Sequence, residues 1–315
     1  MIRAQIPTPA RRAATLLGVV LVLATIATLV ARQYWFFELF SHFRWQYVTA
    51  AVLATPVLWL CGRRALAILC VAALGIHALA LMQQRFATLE RSTGTERQLR
   101  IVSFNVFHRN AEYAEALAEI ERISPDIVCL YETTDAWRQH LAKLSARYAF
   151  ALFTGNGPHS GVACLSRIVP LRVVPPDANA RAAPWMQLEL ESGGTRFRVV
   201  GVHLGYPLGA AAMRARNRQL LELAQVLRGA GEPVIVVGDF NLTPYSPYND
   251  DFLQASGLTD CSQGRALQPT WPVWFPPLWM TIDRCFVTAG IAVAGYRVGP
   301  SLGSDHNSLV IDFRP

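Results

Sequence analysis

Hydrophobic and polar positions follow two regimes along this 315-residue chain, and the change comes near residue 86. Before it, residues 13–31 run nineteen positions without a charge, residues 47–62 run sixteen, and residues 65–83 are mostly apolar. Each stretch approaches the roughly 20 apolar residues with which a helix crosses a bilayer. The pattern therefore predicts a membrane anchor of three transmembrane helices in residues 1–86. A secretory signal peptide competes for the first stretch, because Arg11 and Arg12 precede it, although no clean small-x-small cleavage site follows. A buried helical hairpin competes for the other two.

Residues 87–98 are polar and lack apolar periodicity, which marks a linker. From Leu99 onward, short apolar runs alternate with amphipathic ones. The runs predict strands at 99–106, 126–131, 149–153, 161–166, 185–190, 197–204, 234–238, 283–287 and 308–313, and helices at 111–122, 136–144 and 210–227. Strands outnumber helices, and two of them meet across Ser192-Gly193-Gly194 as a hairpin would. Mixed sheets covered by helices fit this order better than one parallel sheet, so residues 99–315 are expected to form one α/β domain.

Composition sharpens this division. Hydrophobic residues make up 52% of the chain and charged ones only 16%, with the excess of apolar residues at the N-terminal end. The net charge of +7 is also uneven. Seven Lys and Arg face one acid before Arg85, and 22 face 21 from there on. The near-neutral domain lacks the basic balance expected of a nucleic-acid binder. Arg3, Arg11, Arg12, Arg63 and Arg64 fall on one side of the three spans, and only Arg32 and Arg44 on the other. Arginines favour the cytoplasmic side, which puts the domain outside the cytoplasm of a bacterial inner membrane. Of six cysteines, Cys61 and Cys70 lie in the apolar stretches; Cys129, Cys164, Cys261 and Cys285 lie in the domain. Their spacing gives no CxxC or zinc pattern, and it neither requires nor excludes a disulfide.

Polar residues recur where the apolar runs stop. Asn105 ends the first strand of the domain, Glu132 follows the second, and His203 lies near the end of another. Gly238-Asp239-Phe240-Asn241 follows Val234-Ile235-Val236-Val237, Asp283 opens a strand, and Ser304-Asp305-His306 precedes the last one. Taken singly, each has a plainer reading: a turn or cap for Asn105 and Glu132, an Asx turn before Pro244 for Asp239, a hydrogen-bonded core residue for either histidine. Together they place carboxylates, carboxamides and imidazoles on one rim. Oxygen ligands suit Mg²⁺ or Mn²⁺, a carboxylate can orient a water, and two imidazoles can take charge from a phosphoryl transition state. Residues 270–280, TWPVWFPPLWM, add Trp274 and Trp279 on a proline-stiffened loop directly before Asp283.

The set Asn105, Glu132, His203, Asp239, Asn241, Asp283 and Ser304-Asp305-His306 resembles the endonuclease/exonuclease/phosphatase superfamily. The resemblance covers essentially all of residues 99–315. It implies a four-layer sandwich of two mixed β-sheets flanked by helices, with the site at one edge. It further implies that Glu132, with Asn105 and Asp305, holds a divalent metal, Mg²⁺ or Mn²⁺. Asp239 and Asn241 would position water and phosphate, and His203 and His306 would contact the phosphate, with Asp283 paired to His306. Two positions depart from the pattern: Phe107 stands where some relatives carry an acid, and Arg284 where many carry a histidine. Arg284 is placed with Trp274 and Trp279 among the substrate contacts. The anchor with an outward domain resembles the membrane-bound branch that includes the teicoplanin-resistance protein VanJ. These readings give a membrane-anchored phosphohydrolase whose partners are the bilayer and a lipid-linked phosphate such as a polyprenyl diphosphate. An extracellular nuclease and a non-catalytic binding module are the alternatives.

Overall fold

A computed structural model describes residues 7–86, 98–155, 161–175, 185–265 and 267–315. The chain divides into two compact units, Met1–Ala87 with Pro244–Pro247, and Thr88–Thr243 with Tyr248–Pro315. The linker assigned to residues 87–98 lies, except for Gln98, outside the described residues.

The first unit contains α1 (Thr8–Leu29), α2 (Trp35–Phe40), α3 (Arg44–Leu60) and α4 (Arg64–Phe86). Among the described residues, two helices, Thr8–Leu29 and Arg64–Gln84, are long and apolar enough to cross a membrane. The middle stretch forms α3, of 17 residues with Pro56 inside it, and the short α2 precedes it. Small residues Ala14, Ala51, Ala54, Ala67 and Ala73 let these helices approach closely around Leu21 and Leu58. His77 is buried among them and meets Thr25 Oγ1 and Arg44 Nη1, each at 3.0 Å.

The second unit is a layered sandwich. Its elements are β1 (Leu99–Asn105), α5 (Tyr113–Ile123), β2 (Ile127–Tyr131), α6 (Asp135–Ser145), β3 (Phe150–Thr154), β4 (Val162–Ser166) and β5 (Arg172–Val174). They continue with β6 (Trp185–Ser192), β7 (Thr195–His203), α7 (Ala210–Arg228), β8 (Val234–Asp239), α8 (Pro247–Ser256), β9 (Thr259–Asp260), β10 (Asp283–Val287), β11 (Ala292–Val298) and β12 (Leu309–Arg314). One sheet has the order β11-β12-β1-β2-β4-β3 and the other β5-β6-β7-β8-β10-β9. Among the described residues, only β1–β2 and β7–β8 pair in parallel, and all other neighbours are antiparallel. This is the mixed α/β sandwich that the strand-rich order implies.

Alternation along each strand builds three layers of core. Ile101, Ile127 and Cys129 meet Val199, Ile235, Val237 and Cys285 between the sheets. Val102, Phe104, Val128 and Leu130 face the other way onto Ala116, Ile120, Trp137 and Leu141 of α5 and α6. Val200, Val202, Val236 and Phe286 face Leu220, Leu223 and Phe252 of α7 and α8. Helix α5 buries Ala116, Ile120 and Ile123 at spacings that share one face, and Thr134 caps α6 by accepting from Trp137 N. The Tyr131 hydroxyl donates to Val237 O at 2.9 Å, joining the two sheets directly beneath their polar edge. Cys261 and Cys285 form a disulfide between the end of β9 and β10.

Register decides what stands at that edge. Asn105 pairs with Tyr131 on β1–β2, His203 with Asp239 on β7–β8, and Asp239 with Asp283 on β8–β10. Gly238 makes the middle pairing possible. A Cβ there would lie 1.8 Å from Val202 O, and its φ of +150° suits only glycine. Gly238→Ala should therefore lower stability by about 3 kcal/mol or more, measured as the thermal unfolding midpoint. A midpoint equal to wild type would contradict this packing.

Candidate phosphoryl-transfer site

Asp239 is the centre of the polar edge. Its Oδ2 accepts from Asn105 Nδ2 at 3.1 Å, and its Oδ1 accepts from Asn241 N at 2.9 Å. The second contact is the Asx turn that a plain reading of the motif suggests, so one carboxylate both closes the turn and faces the site. Asn105 Nδ2 also donates to Glu132 Oε1 at 3.2 Å and thereby bridges two acids. Its Oδ1 accepts from Phe107 N at 3.0 Å, so Asn105 must turn its amide over to offer an oxygen to a cation.

The histidines stand on either side. His203 Nε2 is 3.7 Å from Glu132 Oε1 and 3.8 Å from Asp239 Oδ2. His306 Nε2 is 3.9 Å from Asp239 Oδ2 and 4.0 Å from Asp305 Oδ1. His306 Nδ1 meets Asp283 Oδ2 at 2.8 Å, the orienting pair expected from the sequence. Ser304 fixes this corner by donating to Asn105 O and accepting from His306 N. Asn241 is close by, but its Nδ2 donates to Leu204 O at 2.8 Å. It follows the end of β8 with φ of 48°, so a left-handed turn rather than strand alternation sets its direction. Of five non-glycine residues with positive φ among the described residues, Phe107, Glu132 and Asn241 lie here, a concentration of backbone strain typical of functional sites.

Burial and charge set the proton affinities. Burial and the neighbouring Asp283 push the Asp239 carboxyl up to about 7, against the pull of His306 and its two hydrogen bonds. Burial disfavours charge on His306, but Asp283, Asp239 and Asp305 outweigh it and push the imidazole up to about 10. Burial would raise Glu132, yet the hydrogen bond from His108, the nearby His203 and the bond from Asn105 bring it below the usual value.

The donors fit a hard divalent cation. Asp305 Oδ1 is buried without a hydrogen-bond partner, and the acids crowd enough to raise Asp239. Asp239, Asp283 and His306 offer atoms within 4.8 Å of one another. Asp283 and His306 are also bonded to each other, and Glu132, Asn105 and Asp305 offer further oxygens at the same edge.

One expectation needs correction, and three residues not singled out from the sequence join the site. Arg284 is not a substrate contact: with Asp283 facing the intersheet side, alternation sends Arg284 into the opposite core. There it is fully buried, paired with Asp260, and donates to Leu242 O at 3.1 Å and Asn249 Oδ1 at 3.3 Å. Trp274 and Trp279 are exposed on their loop, and Trp271 on the same loop touches the site, its Nε1 donating to Asp305 Oδ2 at 3.1 Å. His108, unremarked in the sequence, lies 2.7 Å from Glu132 Oε2 through its Nδ1. A histidine three residues past the strand-ending Asn105 was the available signal. Arg216, buried on α7, likewise donates to Asn241 O at 2.9 Å.

The raised His306 has a consequence for metal-free protein. Folding tightens its proton binding, so its stabilising contribution is complete below pH 6.5 and lost as pH rises through about 10. Asp239, raised from 3.8 to about 7, gives a decline of the same sign at lower pH. In EDTA, the unfolding midpoint should fall between pH 6.5 and 10, and His306→Asn should remove most of that slope. An unchanged slope in the variant would contradict the assignment.

No curated protein sequence is significantly similar to the chain. Solved structures share its fold at low identity. D. rerio TDP2 complexed with single strand DNA product is 19% identical with a TM-score of 0.57, covering 70% of this chain and 100% of that one. The 3′ phosphatase NExo from Neisseria, bound to product DNA hairpin, is 19% identical with a TM-score of 0.57, covering 69% and 100%. A Bacteroides thetaiotaomicron mannosyl-6-phosphatase is 18% identical with a TM-score of 0.54, again covering 69% and 100%. The family model described as Endonuclease/Exonuclease/phosphatase family matches residues 102–306. That match spans well over half of the sequence and ends on His306, so the chain belongs to the endonuclease/exonuclease/phosphatase family.

Proposed function

We propose that this protein is a membrane-anchored, divalent-metal-dependent phosphohydrolase whose domain, residues 99–315, works outside the cytoplasm on a lipid-linked phosphate ester or diphosphate. The observation that carries the reaction class is the Asp283–His306 pair at 2.8 Å beside Asp239, with Glu132 and His203 on the other side. Glu132, Asn105 and Asp305 would hold Mg²⁺ or Mn²⁺, which when bound withdraws charge from a phosphate oxygen. Asp239, with its carboxyl near 7, takes a proton from the water that attacks phosphorus. The bond from phosphorus to the leaving oxygen breaks, and that oxygen leaves with the electron pair. His306, kept protonated by Asp283, and His203 donate hydrogen bonds to the phosphoryl oxygens as charge builds there. Asn241 contributes once its amide turns from Leu204 O.

Surface chemistry supports a lipid-linked substrate. Trp274 is 70% exposed, and Phe275, Leu278 and Trp279 beside it are also exposed. Their loop is tied to the site, because Val273 N donates to Asp305 O at 3.1 Å. Tyr206 and Leu208, which follow the His203 end of β7, are 60% and 65% exposed. By strand register, both apolar loops leave the sheet at the edge that carries His203, Asp239 and Asp283. Aromatic residues of this kind favour the headgroup region of a bilayer. The Cys261–Cys285 bond supports an oxidising compartment, in agreement with the arginine distribution. The middle helix α3 completes the anchor as a third crossing in this proposal. A nuclease is the second reading, favoured by DNA in two of the similar structures. The balance of 22 basic and 21 acidic residues from Arg85 onward speaks against it.

Detergent-purified protein with Mg²⁺ should release phosphate from undecaprenyl diphosphate faster than it cleaves phospholipid or DNA. A preference for DNA would reverse the ranking of the two readings. Glu132→Gln and His306→Ala should each lower turnover by about 10³-fold or more while retaining the fold by circular dichroism. Full activity in a folded His306→Ala protein would remove that residue from the mechanism. Protease added to intact spheroplasts should digest the domain, and protection until lysis would overturn the outward orientation.

A further inference from the structure

We infer that His108 is a positioning residue for the cation site, holding Glu132 so that one carboxylate oxygen, Oε1, is kept for the metal ion. The inference rests on the metal-dependent reading above. His108 lies just beyond β1, and Phe107 before it adopts φ of 60°. That left-handed turn brings two N–H groups of His108 to a single acceptor: its backbone N is 3.2 Å and its Nδ1 2.7 Å from Glu132 Oε2. A carboxylate only accepts, so the contact places the ring proton on Nδ1. The Phe107 ring packs edge-on against the imidazole with centroids 5.0 Å apart, which limits its rotation.

The other oxygen has different neighbours. Glu132 Oε1 is 3.2 Å from Asn105 Nδ2 and 3.7 Å from His203 Nε2, so it is the one turned toward the polar cluster. Two donors on Oε2 therefore fix the plane of the carboxylate and aim Oε1 at the polar cluster, where a cation would take it over from Asn105 Nδ2. Glu132 itself has φ of 59°, so both ends of this contact sit on strained backbone that the surrounding structure must maintain. Partners that orient a ligand in this way typically change metal affinity by about 10–100-fold when removed. The same constraint would favour a cation that accepts one oxygen from Glu132 over one that needs a bidentate carboxylate.

The test is Mn²⁺ binding to metal-stripped, full-length protein in detergent, measured by calorimetry without substrate. Wild type should bind Mn²⁺, and His108→Gln, whose amide cannot reach the Nδ1 position, should bind at least about tenfold more weakly. His108→Asn, whose N–H can occupy that position, should recover to within about threefold of wild type. A role in stability alone would lower the unfolding midpoint in EDTA and leave the two variants equal in affinity. Equal affinities, or wild-type affinity in His108→Gln, would overturn the inference. If His108→Gln does not fold, the same comparison of His108→Asn with His108→Ala decides. Glu132→Gln is the control: wild-type Mn²⁺ affinity in that variant, or no binding by wild type, would sink the metal reading itself and this inference with it.

Discussion

Asp239 and Asp283 stand opposite each other on paired strands with both side chains buried, and the polar edge of the domain is arranged around that unfavourable neighbourhood. Like charges out of water repel strongly and disfavour ionisation. Asp283 is offset by His306, while Asp239 receives Asn105 and Asn241 N. The offset is incomplete, since the Asp239 carboxyl remains raised to about 7. A cluster with excess acid, one unpartnered carboxylate oxygen on Asp305 and two imidazoles at its flanks has the electrostatics of a site completed by a cation.

Keeping such a cluster in place demands rigid support from behind. Two buried arginines provide it for the turn after β8. Arg216 binds Asn241 O and Arg284 binds Leu242 O, with Arg284 anchored in turn by Asp260 and Asn249. Buried arginines are tolerated only when paired, and here the pairing fixes two consecutive carbonyls beside the reacting groups. The Tyr131 hydroxyl on Val237 O holds the opposing sheets together one residue from Glu132. Trp271 does the same for Asp305 from the loop side.

Much of this was legible in the sequence because apolar, β-branched runs stop where chemistry begins. Asn105, Glu132, His203, Asp239 and Asp283 all sit at strand ends, and parallel or antiparallel register then brings those ends together. Elements without such a signature were missed. β5 and β9 have three and two residues, β11 is interrupted by an irregularity between Val293 and Gly295, and α8 opens on a proline. Side-chain direction was harder than location. Arg284 next to Asp283 looks like a site residue until alternation puts it on the far face of β10. His108 matters only because Phe107 turns left-handed, and no local pattern announces that turn.

If these oxygens surround one cation, as proposed, anomalous diffraction from crystals soaked in Mn²⁺ will locate it. A single strong peak should then touch Glu132 Oε1 and Asp305, with the Asp283–His306 pair intact. A peak held instead by Asp283 and His306, or none at saturating Mn²⁺, would contradict it.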